Sequence, residues 1–316
     1  MRKKISVIGA GKTGATTAQR LAERDYADII LFDVIEGLAE GTALDLLEAG
    51  PVLGYDSKVT GVTVNLESGA GYEKLAGSDI VIMTGGIARK PGMSRDDLVK
   101  TNQKIMHGWA ENTAKHAPNA ILIVLTNPVD AITQYAHFVT KFPRQRVIGQ
   151  AGVLDSARFR TFIAMELGVS VKNVDAYVLG SHGDAMVPLP HYTTVAGVPV
   201  TDLLPPERVE GLVKRTRDGG AEIVNLLKTG SAYYAPSASI LQMVDAIVFD
   251  KKQILPCCVL LEGEYGIKGV FAGVPVKLGA GGAEQVLQWK LSADEQAALV
   301  KSTDAVKSVL KVMGIE

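Results

Sequence analysis

The chain has 316 residues, 47% of them hydrophobic, enough for two substantial cores and too apolar for a largely disordered protein. Its 33 basic and 34 acidic side chains leave a formal charge of -1, so no global positive field points to nucleic acid and any anion site must be local. Cys257 and Cys258, the only cysteines, are adjacent in an apolar run, which suits reduced core thiols better than a disulfide framework or a structural metal site.

The basic start Met1-Arg2-Lys3-Lys4 runs straight into an apolar strand over 5–8, too short and too structured for a cleaved secretory signal. No later segment is long enough and free enough of charge to span a membrane, so a cytoplasmic protein without a membrane partner is expected. Strand candidates at 5–8, 29–32, 80–83 and 121–125 are separated by helical-length segments, with helices expected over 36–49, 96–116 and 128–140. Pro118 closes the helix before it. This recurrence predicts an α/β fold with a parallel sheet and helical crossovers.

Between the first strand and a helix beginning near Ala15 lies Gly9-Ala10-Gly11-Lys12-Thr13-Gly14. Glycines there permit a tight turn and close approach of a diphosphate, whose oxygens meet the N–H groups of the helix start. The pattern is short, and its context strengthens it: Asp33 directly follows the second strand, 19 residues after Gly14. A carboxylate there accepts hydrogen bonds from adenosine ribose hydroxyls and repels a 2′-phosphate, which favours NAD over NADP. Gly11-Lys12-Thr13 also ends like a triphosphate-binding loop, but that motif requires glycine where Ser6 stands.

Residues 147–149 make a further strand, and the chain divides into an NAD-binding domain, 1–149, of Rossmann type and a mixed α+β substrate-binding and catalytic domain, 150–316. In the second half, helix is expected over 156–167, strand over 174–179, a strand or the approach to one over 186–195, and a hairpin around Gly197. Helices over 207–227 and 239–249, strands over 254–261 and 269–278, a Gly279-Ala280-Gly281-Gly282 turn and a final helix over 293–312 complete it.

Polar segments within this frame suit oxidation of an alcohol. His182, in Gly180-Ser181-His182-Gly183-Asp184, is the candidate proton acceptor, and Asp155 could hold its ring. His107, His116, His137 and His191 lack such surroundings. Arg158, three residues after Asp155, can hold a carboxylate with its planar fork, or form an ordinary helix ion pair. In the loop after the 80–83 strand, Arg95 could polarise a carbonyl and Arg89 bind a second carboxylate, which separates a dicarboxylate from lactate; a solvated cation is the alternative for Arg89. Asn127, in Thr126-Asn127-Pro128, can bridge a substrate oxygen and the nicotinamide region. Asp45, Asp155 and Asp184 form no recognisable metal-ligand series, and no metal is needed.

The run from Ala88 through Arg89-Lys90-Pro91-Gly92-Met93-Ser94-Arg95 to Leu98, the Leu154-Asp155-Ser156-Ala157-Arg158 segment and the histidine loop together resemble the lactate/malate dehydrogenase family, specifically its lactate-dehydrogenase-like malate dehydrogenases, over almost the whole chain. The resemblance implies reversible oxidation of (S)-malate to oxaloacetate with NAD, in central carbon metabolism including the tricarboxylic acid cycle. It implies that Arg89, Arg95, Asn127 and Arg158 bind substrate, that Asp155 and His182 handle the proton, and that Gly9, Ala10, Gly11, Lys12, Thr13, Gly14, Asp33, Asn102, Leu125, Thr126 and Asn127 contact NAD. It also implies a homodimer or homotetramer. Lys12-Thr13 and Ser181 depart from the family, which commonly carries apolar residues and glycine there. A lactate dehydrogenase and a noncatalytic NAD-binding interaction protein are the competing readings.

Overall fold

A computed structural model of the chain describes residues 2–87 and 94–315, without the side chain of Arg95. The first half alternates strand and helix: β1 (Lys3–Ile8), α1 (Lys12–Glu23), β2 (Ala27–Asp33), α2 (Leu38–Leu53), β3 (Val59–Thr63), β4 (Ile80–Met83), α3 (Arg95–His116), β5 (Ile121–Val124), α4 (Val129–Thr140) and β6 (Val147–Gly149). Then come α5 (Gly152–Leu167) and the short strands β7 (Val174–Asp175), β8 (Val178–Leu179), β9 (Val187–Pro188), β10 (Thr194–Val195) and β11 (Val198–Pro199). The chain ends with α6 (Val200–Leu203), α7 (Pro206–Leu227), α8 (Tyr234–Val248), β12 (Gln253–Glu262), β13 (Lys268–Gly279), β14 (Gly282–Val286) and α9 (Ala293–Val312).

Among the described residues the main sheet runs β3-β2-β1-β4-β5-β6 in parallel, and β12, β13 and β14 extend it antiparallel beyond β6. Parallel strands covered on both faces read as unbroken apolar runs, and every residue of β4 and β5 is buried. Because β1 lies between β2 and β4, the strand order reverses there and the connections leave to opposite sides, opening a crevice at the carboxyl ends of β1 and β4. The Gly-rich turn sits at that crevice. A second cluster around Phe159, Ile163 and Val178 anchors the other half, and full burial of a side chain such as Phe159 contributes about 1.5–3 kcal/mol.

The expected α/β class with a second mixed half is the observed architecture, with differences in detail. The α5 helix begins at Gly152 rather than 156, which puts Asp155 in its first turn. The strand expected over 174–179 divides, since Asp175 pairs with Thr194 while Leu179 pairs with Val187 in another sheet. The β3 and β14 strands were not foreseen. In β3 a glycine interrupts the apolar alternation, and the packing of α2 explains it: a Cβ on Gly61 would lie 2.3 Å from the Ala39 backbone. Residues 280–281 form the tight connection between β13 and β14, with Gly282 at φ +89°. Cys257 and Cys258 are free and buried in β12. Among the described residues no helix is long and apolar enough to cross a membrane.

Candidate active site

Three glycines shape the nucleotide end, each for a different reason. Gly9 turns the chain off β1 at φ +96°, a backbone conformation that L side chains rarely adopt. Gly14 lets α1 close on that turn, because a Cβ there would lie 1.7 Å from the Gly9 carbonyl oxygen. Gly11, the N-cap of α1, has an ordinary φ of -66° and nothing within 4 Å of a Cβ position. Its lack of a side chain is therefore unexplained by protein packing, and the space it leaves beside the first free N–H groups of α1 fits a diphosphate.

Asp33 closes this turn against β2. Its Oδ2 accepts the Ala10 N–H at 2.7 Å, and its Oδ1 accepts those of Val34 and Ile35 at 2.8 and 3.0 Å. The carboxylate is thus aimed by three backbone donors while still half exposed beside the turn. Lys12 is exposed on the first turn of α1, with its Nζ 5.6 Å from the centre of the Tyr233 ring, and Thr13 follows it. The segment before α8 therefore lies against the nucleotide end.

Asn102 is 1% exposed, and its amide joins two loops. Its Oδ1 accepts the Ile87 N–H at 2.8 Å, and its Nδ2 donates to the Ile87 and Asn127 carbonyls at 3.2 and 2.7 Å. Both amide hydrogens are committed to backbone, so Asn102 braces the loops from beneath. Leu125 and buried Thr126 lead into exposed Asn127, which precedes Pro128 through a cis peptide bond. The Thr126 hydroxyl donates to the Gly85 carbonyl at 2.6 Å, fastening the β5 loop to the β4 loop. Arg89 lies outside the described residues. Arg95 takes the first position of α3, behind a capping box in which Ser94 Oγ accepts the Asp97 N–H at 3.0 Å.

In the second half one carboxylate holds two cations' worth of chemistry together. Asp155 Oδ2 bonds His182 Nδ1 at 2.8 Å, and its Oδ1 accepts from Arg158 at 3.2 Å. The Asp155 side chain is 2% exposed, while that of His182 is 20% exposed, so the ring has an open side. Burial opposes the charged imidazole, yet the charge and hydrogen bond of Asp155 outweigh it and hold His182 above its ordinary value. With Nδ1 on Asp155, Nε2 is the atom left to exchange a proton.

Arg158 crosses close to α7. A Cβ on Gly219 would be 3.2 Å from Arg158 Cδ, and one on Gly220 3.7 Å from its guanidinium. Glycine inside a helix costs about 1 kcal/mol relative to alanine, so Gly219 makes room for the arginine against local preference, while a Cβ at Gly220 would make only ordinary contact. Buried Arg158 Nε has no hydrogen-bond partner among the described residues.

Two supporting groups escaped the sequence reading. Asp130, in the first turn of α4, accepts the His182 N–H on Oδ2 at 2.9 Å, and Ser302 on α9 accepts the Ser181 N–H at 2.7 Å. An acidic residue in a first helical turn ordinarily reads as a dipole partner, and nothing local marks a serine late in a surface helix. Among the described residues no cluster of side chains suited to a metal ion occurs. A cavity of about 410 Å³ beside β14, lined by Arg144, Val259 and Glu284 among others, contains none of the candidate residues.

Comparison with known proteins adds ancestry to this geometry. Residues 3–149 match the family model described as lactate/malate dehydrogenase, NAD binding domain, and residues 152–313 match the model for its alpha/beta C-terminal domain. A malate dehydrogenase of Bacillus israeli is 54% identical over 314 residues, 99% of this chain and 98% of that one. The apo malate dehydrogenase structure from Picrophilus torridus superposes with a TM-score of 0.95 at 47% identity, covering 99% of this chain and 97% of that one. A Cryptosporidium parvum lactate dehydrogenase, solved with lactic acid and nicotinamide adenine dinucleotide, superposes with a TM-score of 0.94 at 38% identity, covering 99% and 98%. Shape is common to both substrate classes, while identity is higher to the malate enzymes.

Proposed function

The chain belongs to the lactate/malate dehydrogenase family, and we propose that it works as an NAD-dependent malate dehydrogenase, interconverting (S)-malate and oxaloacetate with His182 as the proton acceptor. The observation that carries the chemistry is one buried carboxylate, that of Asp155, joining the His182 ring to the Arg158 guanidinium. It sets a base and a carboxylate-binding fork side by side.

NAD fits the first half through the open space at Gly11, the α1 amides and the Asp33 carboxylate. Gly9, Ala10, Gly11, Lys12, Thr13, Gly14 and Asp33 would hold its diphosphate and adenosine ribose, and Leu125, Thr126 and Asn127 its nicotinamide end, braced by Asn102. When bound, NAD would supply the hydride acceptor for the malate carbon. Arg158, held by Asp155 on one side, holds the carboxylate next to the alcohol with its guanidinium fork. His182 Nε2 removes the alcohol proton and later releases it to solvent, while Asp155 keeps the ring oriented and stabilises the imidazolium. Arg95 polarises the carbonyl in the reverse direction, and Arg89 pairs the second carboxylate. The sum is malate plus NAD to oxaloacetate plus NADH and one proton.

The protein acts in central carbon metabolism, including the tricarboxylic acid cycle, in the cytoplasm where these metabolites and the cofactor are found. It forms a homodimer or homotetramer; the exposed Leu44, Leu47, Val52 and Leu53 of α2 supply an apolar surface for self-association. The reading is tested by following NADH consumption with oxaloacetate and pyruvate in parallel at saturating cofactor. Strong preference for oxaloacetate is expected. Preference for pyruvate would move the substrate to the lactate class, and no turnover with either would overturn the enzyme reading.

A further inference from the structure

Three successive amides of the histidine loop are held by three different elements. The Gly180 N–H donates to the Gly273 carbonyl of β13 at 2.8 Å, and the Ser181 N–H to Ser302 Oγ of α9 at 2.7 Å. The Ser181 and Ser302 hydroxyls also meet at 2.9 Å, so the serine found in place of the family's glycine has a matching partner. The His182 N–H donates to Asp130 Oδ2 of α4 at 2.9 Å.

Only the last of these anchors carries charge. Asp130 is 4% exposed, and besides the His182 N–H its carboxylate meets the Cys258 thiol of β12, a weak donor. A neutral acceptor such as serine or asparagine would hold the same N–H without burying a charge, so anchorage alone does not account for an acid here. Its position supplies the rest: it follows Asn127 by three residues, at the start of the helix that leaves the nicotinamide loop, and ends directly beneath the histidine.

On the reading of His182 as proton acceptor, we infer that Asp130 is a positioning residue for the reaction, holding the His182 backbone from α4 and stabilising the imidazolium with a second buried negative charge. The charged groups facing His182 are Asp155 and Arg158 from α5 and Asp130 from α4. Those facing Asp130 are the His182 loop, the Cys258 thiol of β12 and Asp155. Burial pushes the Asp130 carboxyl up to about 6, against the opposing pull of the His182 N–H. The His182 charge pulls the Asp130 value down as the Asp130 charge pulls the His182 value up, so each group responds to the protonation of the other.

Asp130→Asn keeps a carbonyl acceptor for the His182 N–H and removes the charge, whereas Asp130→Ala removes both. The acid limb of kcat/KM for malate oxidation, which reports the His182 proton, should move to lower pH by at least half a unit in the Asn variant, with NADH affinity within about twofold of the parent. The Ala variant should add a loss of kcat of on the order of tenfold or more. An acid limb unmoved in Asp130→Asn would overturn the inference. The coupling must be mutual, which gives a measurement on protein with Asp130 intact: its carboxyl carbon, followed by NMR in the whole protein, should titrate at higher pH in His182→Asn than in the parent. An unchanged titration would overturn the inference whether or not the Asp130 variants fold. Absence of oxaloacetate turnover in the parent would instead defeat the functional reading, and the NMR coupling would still decide the role of Asp130.

Discussion

Replacing Gly11 and Gly14 separately by alanine divides cofactor binding from packing within one turn of chain. At Gly14 the added Cβ would meet the Gly9 oxygen at 1.7 Å, half an ordinary contact, with Thr84 Oγ1 at 2.7 Å on the other side. The turn cannot back away, because Gly9 already lies close under Gly85, where its own Cβ would be 2.8 Å from the Gly85 nitrogen. Overpacking of this kind costs about 1–3 kcal/mol in ordinary cores, and the backbone clash puts Gly14→Ala at about 3 kcal/mol or above. At Gly11 the new methyl meets no protein atom within 4 Å and φ is already permissive, so the gain of about 0.4–1 kcal/mol from a stiffer unfolded chain is set against the poorer N-cap that alanine makes, and the free protein should change by no more than about 1 kcal/mol. Its cost appears with the cofactor: a methyl in the diphosphate space should weaken NADH binding by about 2 kcal/mol, roughly thirtyfold. Urea unfolding reads the first quantity and NADH fluorescence titration the second. Gly11→Ala with parental NADH affinity would refute the placement of the diphosphate, and Gly14→Ala with parental stability would refute the packing argument.

His182→Asn should slow single-turnover oxidation of malate by about 10²–10⁴-fold with NADH affinity nearly unchanged; near-parental single turnover would remove its proton-transfer role. In the parent protein the acid limb of malate oxidation should lie above 6.5, because Asp155 holds the His182 value up; in Asp155→Asn burial and the Arg158 charge oppose only what Asp130 adds, and the limb should move to lower pH than in the parent. The sign for stability follows: the pair's contribution is fully present below the unfolded histidine value, 6.5, and is lost as pH rises through the raised folded one, which denaturant titrations across that interval would read. Arg158→Lys replaces a fork with a point charge, and the KM for oxaloacetate should rise by about tenfold or more; an unchanged KM would exclude Arg158 from carboxylate binding. Arg89→Gln should lower the ratio of kcat/KM for oxaloacetate over pyruvate far more than it weakens NADH binding, and an unchanged ratio would take Arg89 out of substrate selection.

Much of the fold was legible because local and tertiary demands agree. The β4 and β5 strands are buried on both faces, so their apolar runs mark their own ends, and α9 begins where Ser292 and Glu295 form a capping box. The α5 boundary was misplaced because Gly152 is a poor helix former, used where a Cβ would lie 2.7 Å from the Val178 carbonyl. The α8 helix likewise starts at Tyr234, ahead of the expected 239, in a segment that packs toward α1 through the Arg20–Ser237 hydrogen bond. In each case a contact distant in sequence overrides the local preference.

The sequence by itself determined the chemistry available to this protein: a glycine turn with an aspartate after the next strand, three arginines, and a histidine with an acidic candidate partner. Those are choices of residue type, visible because few other functions require them together. Only the tertiary structure decided which groups meet. It gave Asp155 both the His182 ring and Arg158, spent the Asn102 amide on two loops, and set Asp130 beneath the His182 backbone, 52 residues away in the chain. Hydrogen bonds act over about 3 Å, and whether two side chains come that close depends on how helices from both halves pack on one sheet.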